Sequence, residues 1–318
     1  MPMHPVGDNI MAESEIVSYE KIKHRKRMTV KDKIFYIFIY SFFILFAVIT
    51  LYPLINMLAY SFNDSFDAVL GGIHILPRKW SLRNYEAVLF EKEGLRRGAL
   101  VTVSRTVIGT SAALLSNAML AFILSRKKFL FRSGLSLFWI IAVFAQGGVF
   151  PLITTYLLFR FLHLTQNFWV YIVPGLINVV YVMVLRTYMK SIPDSFEEEA
   201  KLEGAGYMRI FWSIITPICK PVYSAIALFL ATYHWNSWFD ALIYNRMEPE
   251  LTTLQYETMK LFVEISVPSG VVNFRSRSAT PFSVKCAAYL LTMVPIIAAY
   301  PFFQKYFVSG LTVRGVKE

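Results

Sequence analysis

The stretch from Lys190 to Pro221, KSIPDSFEEEAKLEGAGYMRIFWSIITPICKP, is the most informative in this 318-residue chain. Three consecutive carboxylates, Glu197, Glu198 and Glu199, follow a Pro-Asp-Ser turn, and a fourth, Glu203, precedes Gly204-Ala205-Gly206. The chemistry open to such a stretch is recognition: either a compact knob that docks into a cleft of a soluble partner, or an ordinary interfacial helix. Other chemistry is poorly supplied. No G-x-x-x-x-G-K-[ST] run is present, so the chain has no usual cradle for ATP phosphates. Cys219 and Cys286 lie far apart, without C-x-x-C or zinc spacing, and read as two small apolar side chains. His234 and Asp240 are six residues apart, so they do not share one helix face well and make a poor catalytic pair.

Local signals divide the 190–220 segment into two helices. Pro193 sets a turn, and Asp194 or Ser195 can cap a helix over Phe196–Leu202. The glutamates then fall in its first turn, where the positive end of the helix dipole favours carboxylates. Gly204-Ala205-Gly206 breaks it, a second amphipathic piece runs from Tyr207 to Ile215, and Thr216-Pro217 is expected to end that piece.

The elements that must carry this knob are apolar. The chain is 56% hydrophobic and only 17% charged, with a mean hydropathy of +0.48. Soluble chains spend about a quarter of their residues on charge. Runs without Asp, Glu, Lys or Arg extend over Ile34–Asn63, Thr106–Ser125, Ser133–Phe159, Phe161–Leu185, Pro221–Phe239 and Cys286–Gln304. Each is of the order needed to cross a bilayer as helix, about 20 residues. The expected fold is all-α: a polytopic membrane protein with six transmembrane helices near 34–60, 98–125, 133–159, 164–188, 221–244 and 284–308. A cytoplasmic segment 1–33 precedes this 34–308 permease domain, the loop 190–220 interrupts it, and a tail 309–318 follows. The first run is too long for a signal-peptide core and is expected to stay as an anchor.

The net charge of +11 is read as topology and not as nucleic-acid binding, because the basic residues flank apolar runs. Lys21, Lys23, Arg25, Lys26 and Arg27 precede the first run, Arg126, Lys127, Lys128 and Arg132 follow the second, and Arg186, Lys190, Lys201, Arg209 and Lys220 follow the fourth. That set exceeds the opposite one, so both termini are expected in the cytoplasm. The outer segments Asp64–Arg97 and Arg246–Ser283 are long enough to touch an external partner, or are plain connections. Polar residues inside the runs, Asn117, Gln146, Asn178 and Tyr181, need partners: either neighbouring helices or a solute in a pathway. Arg105, near the outer end of the second span, can snorkel or meet an anionic solute. The aromatic cluster Trp235, Trp238 and Phe239, beside Asn236, fits an interfacial belt better than a sugar-stacking platform.

The 190–220 segment resembles the EAA loop of the membrane subunits of bacterial ATP-binding cassette importers. Aligned on the glycine it gives Glu198, Glu199, Ala200, Glu203 and Gly204, and ends at Thr216-Pro217. Glu199 stands where the family has its first Ala, Glu203 where it has Asp, and Thr216 where it has Leu. WNSWFDAL at 235–242, GGVFPL at 147–152 and GLTVRGVK at 310–317 also resemble the sugar-importer permeases. The tail is similar to that of the second, six-span membrane subunit of the maltose importer, with departures at Arg314 and Gly315. The resemblance covers nearly the whole chain.

That resemblance implies a non-catalytic permease subunit in a bacterial cytoplasmic (inner) membrane, with no cofactor or metal of its own. ATP and Mg would sit on two partner ATPase subunits. A second homologous permease, an extracytoplasmic solute-binding protein and membrane lipid complete the implied partners; nucleic acid is not among them. Glu198, Glu199, Ala200, Glu203, Gly204 and Arg209 would couple to the ATPase, with Gly204 permitting a chain reversal where a Cβ could clash. Thr312, Val316 and Lys317 would reach the ATPases from the tail. The translocation pathway would draw on Asn117, Gln146, Asn178, Tyr181, Trp235 and Asn236. The solute would be an oligosaccharide, including the acidic, alginate-like kind, moved by alternating access. The competing reading is a secondary transporter or channel working without ATPases. It calls for ionisable groups buried in mid-span, and only His163 and Arg105 come near.

Overall fold

The computed structural model describes residues 29–126, 129, 131–145, 150–263 and 282–312. The described residues form helices and turns, with one isolated antiparallel bridge, Asn63 to Trp80. In chain order the α-helices are α1 Val30–Ser61, α2 Ser65–Ala68, α3 Arg83–Glu86, α4 Glu93–Ser125, α5 Arg132–Ala145 and α6 Phe150–Phe161. They continue with α7 Val179–Lys190, α8 Ser195–Leu202, α9 Tyr207–Ile210, α10 Thr216–Ile218, α11 Lys220–Asn236, α12 Phe239–Tyr244, α13 Leu254–Val263 and α14 Phe282–Thr312.

Three helices are long and apolar enough to cross a membrane by themselves: Val30–Ser61, Glu93–Ser125 and Phe282–Pro301. Two bent pairs raise the number to five if each is one span. The fourth expected span is one of these pairs. It does not run as a single helix over 164–188. Two 3-10 turns, Phe168–Tyr171 and Val173–Gly175, meet α7 at 45°. Pro174 offers no N–H, Gly175 weakens the helix, and Asn178 then starts α7 by accepting from the backbone N–H groups of Val180 and Tyr181. The fifth expected span stops at Asn236, breaks at Ser237-Trp238, and resumes as the short α12. In the third, α5 and α6 flank residues 146–149, which are outside the described set.

The chain divides into two compact units, residues 1–55 and 56–318, with the division inside α1. In the first unit α1 presents its apolar side chains outward; Phe38 and Ile37 are exposed, as are Phe42 and Phe46. In the second unit α4 is the hub, packing on α11, α7 and α13. Small residues make this possible. Ala113, Ala118 and Ala121 are buried in a cluster with Val182, Leu185 and Met189 of α7 and Ile226 and Leu230 of α11. Small side chains let apolar helices approach closely, which is the main source of packing energy in lipid. Two glycines illustrate how close the approaches are. A Cβ on Gly98 would stand 2.9 Å from the backbone N of Leu254, and one on Gly109 would stand 2.6 Å from Nε2 of His234.

The segment after α1 is ordered by its asparagines. Oδ1 of buried Asn63 accepts from the backbone N–H groups of Arg78 and Lys79, at 2.8 and 2.9 Å. Nδ2 of Asn84 donates to the carbonyls of Ser61 and Asn63. This stretch is a folded element and not a slack connection.

Candidate functional site

The 190–220 segment folds as two helical pieces, with differences from the sequence expectation in their caps and turns. α8 covers Ser195–Leu202, and its first-turn carboxylates are Glu197 and Glu198. Asp194 stands at the N-cap position without a side-chain capping bond; its carbonyl accepts from the N–H groups of Glu197 and Glu198. α9 then runs through a π turn, Phe211–Ile215, into α10 at Thr216–Ile218. Thr216-Pro217 therefore does not end the helix. Pro217 falls in the first turn of α10, where its missing N–H costs nothing. The sharp break comes after Ile218: the Tyr207–Ile218 piece meets α11 at 82°.

Gly204 has φ +82, and it turns the chain between the two pieces. A Cβ there would meet open space within this chain, so the expected clash is corrected to a backbone requirement: L side chains are strained at this φ. The backbone N–H groups of Gly204 and Ala205 close the turn on the carbonyls of Lys201 and Ala200.

The expected coupling residues separate into two kinds. Ala200 is buried and packs into the α4–α7–α11 cluster with Ile210, Phe211 and Ile215, fixing the knob to the span ends. Glu198, Glu199, Glu203 and Arg209 are exposed, as is Leu202 at 89%. The half-buried carboxylate is the one the motif does not name. Glu197 pairs with Arg126, at the C-terminal end of α4, and with Lys201 one turn on. Arg126 also donates to the Met189 carbonyl and lies over the Phe122 ring. Burial raises the Glu197 carboxyl, but hydrogen bonds from Lys201 and Arg126 overcome it and hold the group below its usual range. The same bond pushes Lys201 up. A cavity of about 670 Å³ opens beside this pair, lined by Ser191, Asp194, Glu198 and Lys201 among others.

At the other end of α4 a second arginine is held differently. Arg105 is fully buried and does not snorkel. It grips Asp240 bidentately, Nη1 to Oδ1 at 3.2 Å and Nη2 to Oδ2 at 2.5 Å, and lies over the Tyr171 ring at 4.4 Å. Nη1 also donates to the Ser237 carbonyl, at the break after α11. Thr253 donates to the same carbonyl, and Thr102 accepts from the Leu254 N–H. Arg105 thus clamps the broken end of α11 and the segment behind it onto α4. Arg105 and Asp240 each border an apolar run, and two opposite charges so placed were the available signal for a pair.

The expected pathway residues do not form one lining. Asn117 is buried and bonds the chain to itself: Nδ2 donates to the Leu176 carbonyl and Oδ1 accepts from the Asn178 N–H, 2.8 Å. Trp235 Nε1 donates to the Thr292 carbonyl of α14, and Asn236 bonds back to Thr232. Asn178 and Tyr181 do share a cavity, together with Trp139, Tyr233 and His234. Gln146, Val316 and Lys317 lie outside the described residues, and Thr312 is placed only as the last residue of α14. Among the described residues no group of His, Cys, Asp and Glu is arranged to hold a metal ion.

No family model matches the chain. Individual relatives do. The polygalacturonan/rhamnogalacturonan transport system permease protein YtcP of Bacillus subtilis is 29% identical over 288 residues, 90% of this chain and 99% of that protein. The galactooligosaccharides transport system permease protein GanQ of the same organism is 29% identical over 298 residues, 91% of this chain and 98% of that protein. A solved bacterial ABC transporter involved in the import of the acidic polysaccharide alginate matches with a TM-score of 0.79 at 27% identity, covering 88% of this chain and 98% of that one. By sequence and by fold, the homologues of this chain are carbohydrate ABC transporter permeases of the oligosaccharide and alginate branch.

Proposed function

We propose that this chain is one membrane subunit of an ATP-driven, binding-protein-dependent importer of oligosaccharides. The observation that carries the reading is the α8–α9 knob. It is fixed to α4 and α11 through Ala200 and the Glu197–Arg126 pair, yet it leaves Glu198, Glu199, Glu203 and Arg209 exposed. Such a knob suits a cleft on a soluble ATPase. Because it continues into α11 through an 82° bend, a push on it is a push on a span. Alternating access then follows if two packings of the spans are biased by ATP-driven closure.

On this reading six spans cross a bacterial cytoplasmic membrane, with α5 and α6 forming the third, the bent 168–190 stretch the fourth and α11 the fifth. Both termini and the knob face the cytoplasm, as the basic flanks favour. Two ATPase subunits hold ATP and Mg, and this chain hydrolyses nothing. A second homologous permease and an external binding protein complete the assembly, and lipid covers the exposed apolar face of α1. Relatives named for transport of polygalacturonan/rhamnogalacturonan and galactooligosaccharides, and the alginate importer, support a saccharide solute, acidic ones included. The test is to co-express the chain with its chromosomal neighbours, purify through a tag on this subunit, and assay ATP hydrolysis with saccharide-loaded binding protein. A co-purified ATPase stimulated by the loaded protein is expected. A clean preparation without an ATPase partner overturns the reading.

A further inference from the structure

A groove of about 710 Å³ runs between α6 and α12, apart from the sites described above. Its two walls are tied together. The Tyr156 and Tyr244 rings stack at 6.1 Å and 11°, and the Tyr244 carbonyl accepts from the Gln166 N–H beyond α6. The lining changes character along each wall. Leu152 and Ile153 line it on α6 two turns before Arg160, with Tyr156 between, so one helix face passes from apolar to cationic over about 12 Å. On the other wall Leu242 and Ile243 come before Arg246. Each arginine follows its wall's tyrosine, Arg160 after Tyr156 and Arg246 after Tyr244. On the membrane reading both walls run outward, so the two guanidiniums fall at the same rim. Both arginines are exposed. Among the described residues no carboxylate lines the groove, and neither guanidinium has a hydrogen-bond or ion-pair partner.

We propose that this groove seats one anionic phospholipid of the surrounding bilayer, its phosphate at Arg160 and Arg246 and an acyl chain along Leu152, Ile153 and Leu242. Guanidinium forks match phosphate oxygens bidentately, and two of them give one phosphate its full charge complement. The order of the lining selects the occupant. A phospholipid carries charge at one end and hydrocarbon beyond it, as the groove does. A saccharide is polar along its whole length and would desolvate against the leucine half without return. A free anion would fill the rim alone. A seated lipid would brace α6 against α12, the helix whose Asp240 is gripped by Arg105 across the break. The inference rests on the membrane reading of the chain and not on its solute or its ATPases.

The test follows the thermal midpoint of the assembly, purified through this subunit and stripped of lipid in mild detergent, as phospholipid is added back. Phosphatidylglycerol should raise the midpoint saturably, and phosphatidylcholine, whose phosphate is offset by its choline, should need about ten times the concentration. Arg160→Gln and Arg246→Gln should each raise the half-saturating phosphatidylglycerol concentration about tenfold, the worth of one charge-assisted bond. Arg83→Gln, at an exposed arginine away from the groove, should leave it unchanged. An equal response to both lipids, or half-saturation unmoved in both groove variants, overturns the site. An equal rise with inorganic phosphate or an oligogalacturonate, without lipid, overturns the phospholipid as occupant. Loss of the second permease from the variant preparations would mark the groove as a subunit seat and overturn it too. ATP hydrolysis with loaded binding protein is read on the same samples: its absence in the parent sinks the importer reading and leaves the lipid result standing.

Discussion

The two arginines of α4 make the same kind of bond in opposite settings. Arg105, toward one end, is fully buried, and its carboxylate partner Asp240 is 19% exposed. Arg126, just past the other end, and Glu197 are 11% and 13% exposed and share their charge with Lys201. The first pair closes the break after α11, where losing the carboxylate leaves Arg105 buried without a counter-charge. The second sits under a knob whose remaining carboxylates face outward. The difference separates a pair that closes a helix break from a pair that seats an exposed knob.

The comparison is broken most severely by removing one half of the buried pair. Asp240→Ala leaves Arg105 charged and unpaired, a loss of about 3–5 kcal/mol, and should lower the thermal midpoint of the detergent-solubilised chain sharply. Replacing both residues with apolar ones of similar size should recover most of that, because a buried pair adds little over good packing. If Asp240→Ala unfolds like the parent, the clamp is not what holds the α11 break.

A smaller effect is expected at the turn. Gly204→Val forces a β-branched residue into φ +82, a strain of at least about 1–2 kcal/mol. Since open space surrounds this position, the strain should distort the knob and leave the spans intact. ATPase co-purification should fall while the chain still inserts. Normal co-purification would remove Gly204 from the coupling account.

At the second pair, Arg126→Glu should uncouple uptake from hydrolysis at a cost of about 1.5–3 kcal/mol, the range for charge-assisted bonds. The swap Arg126→Glu with Glu197→Arg should restore part of it. Failure of the swap together with intact single variants would show that the pair positions nothing. Its pH behaviour follows in sign. The Glu197 pKa is depressed on folding, so its contribution is present above the unfolded carboxylate range and is lost as pH falls through the lower folded value. The Lys201 pKa is raised, so that contribution is lost only as pH rises through its raised folded value, above 10.5. Stability of the knob, followed by proteolysis of the 190–220 segment, should therefore be flat through neutral pH and fall in acid and again above the lysine range. The smallest structural effect is at Glu198→Ala, which is exposed: the melting curve should not move, while ATPase coupling drops.

Much of this was legible in the sequence. α1, α4 and α14 were visible as long uncharged runs, because a bilayer-length apolar stretch has few alternatives. α8 was visible from its turn, its first-turn glutamates and Gly204. The breaks at Val173–Gly175 and at Ser237-Trp238 were not, since an uncharged run looks the same straight or bent. Pro217 misled for a related reason: proline ends helices in their interior but is at home in a first turn. The Arg126–Glu197 and Arg105–Asp240 pairs join positions far apart in the chain; charges bordering apolar runs hint at the second, and the packing of α4 on α7 and α11 is what joins both. Asn117 and Asn178, singled out as polar residues in apolar runs, spend their Oδ1 groups on the backbone around the α7 break.

The measurement that tests the account most directly is oligosaccharide uptake into liposomes carrying either this chain alone or the assembly purified through it. The account expects no uptake by the chain alone. It expects uptake by the assembly only when ATP is supplied on the knob side and loaded binding protein on the other. Uptake by the chain alone, without ATP, would contradict it and make the protein a self-sufficient transporter.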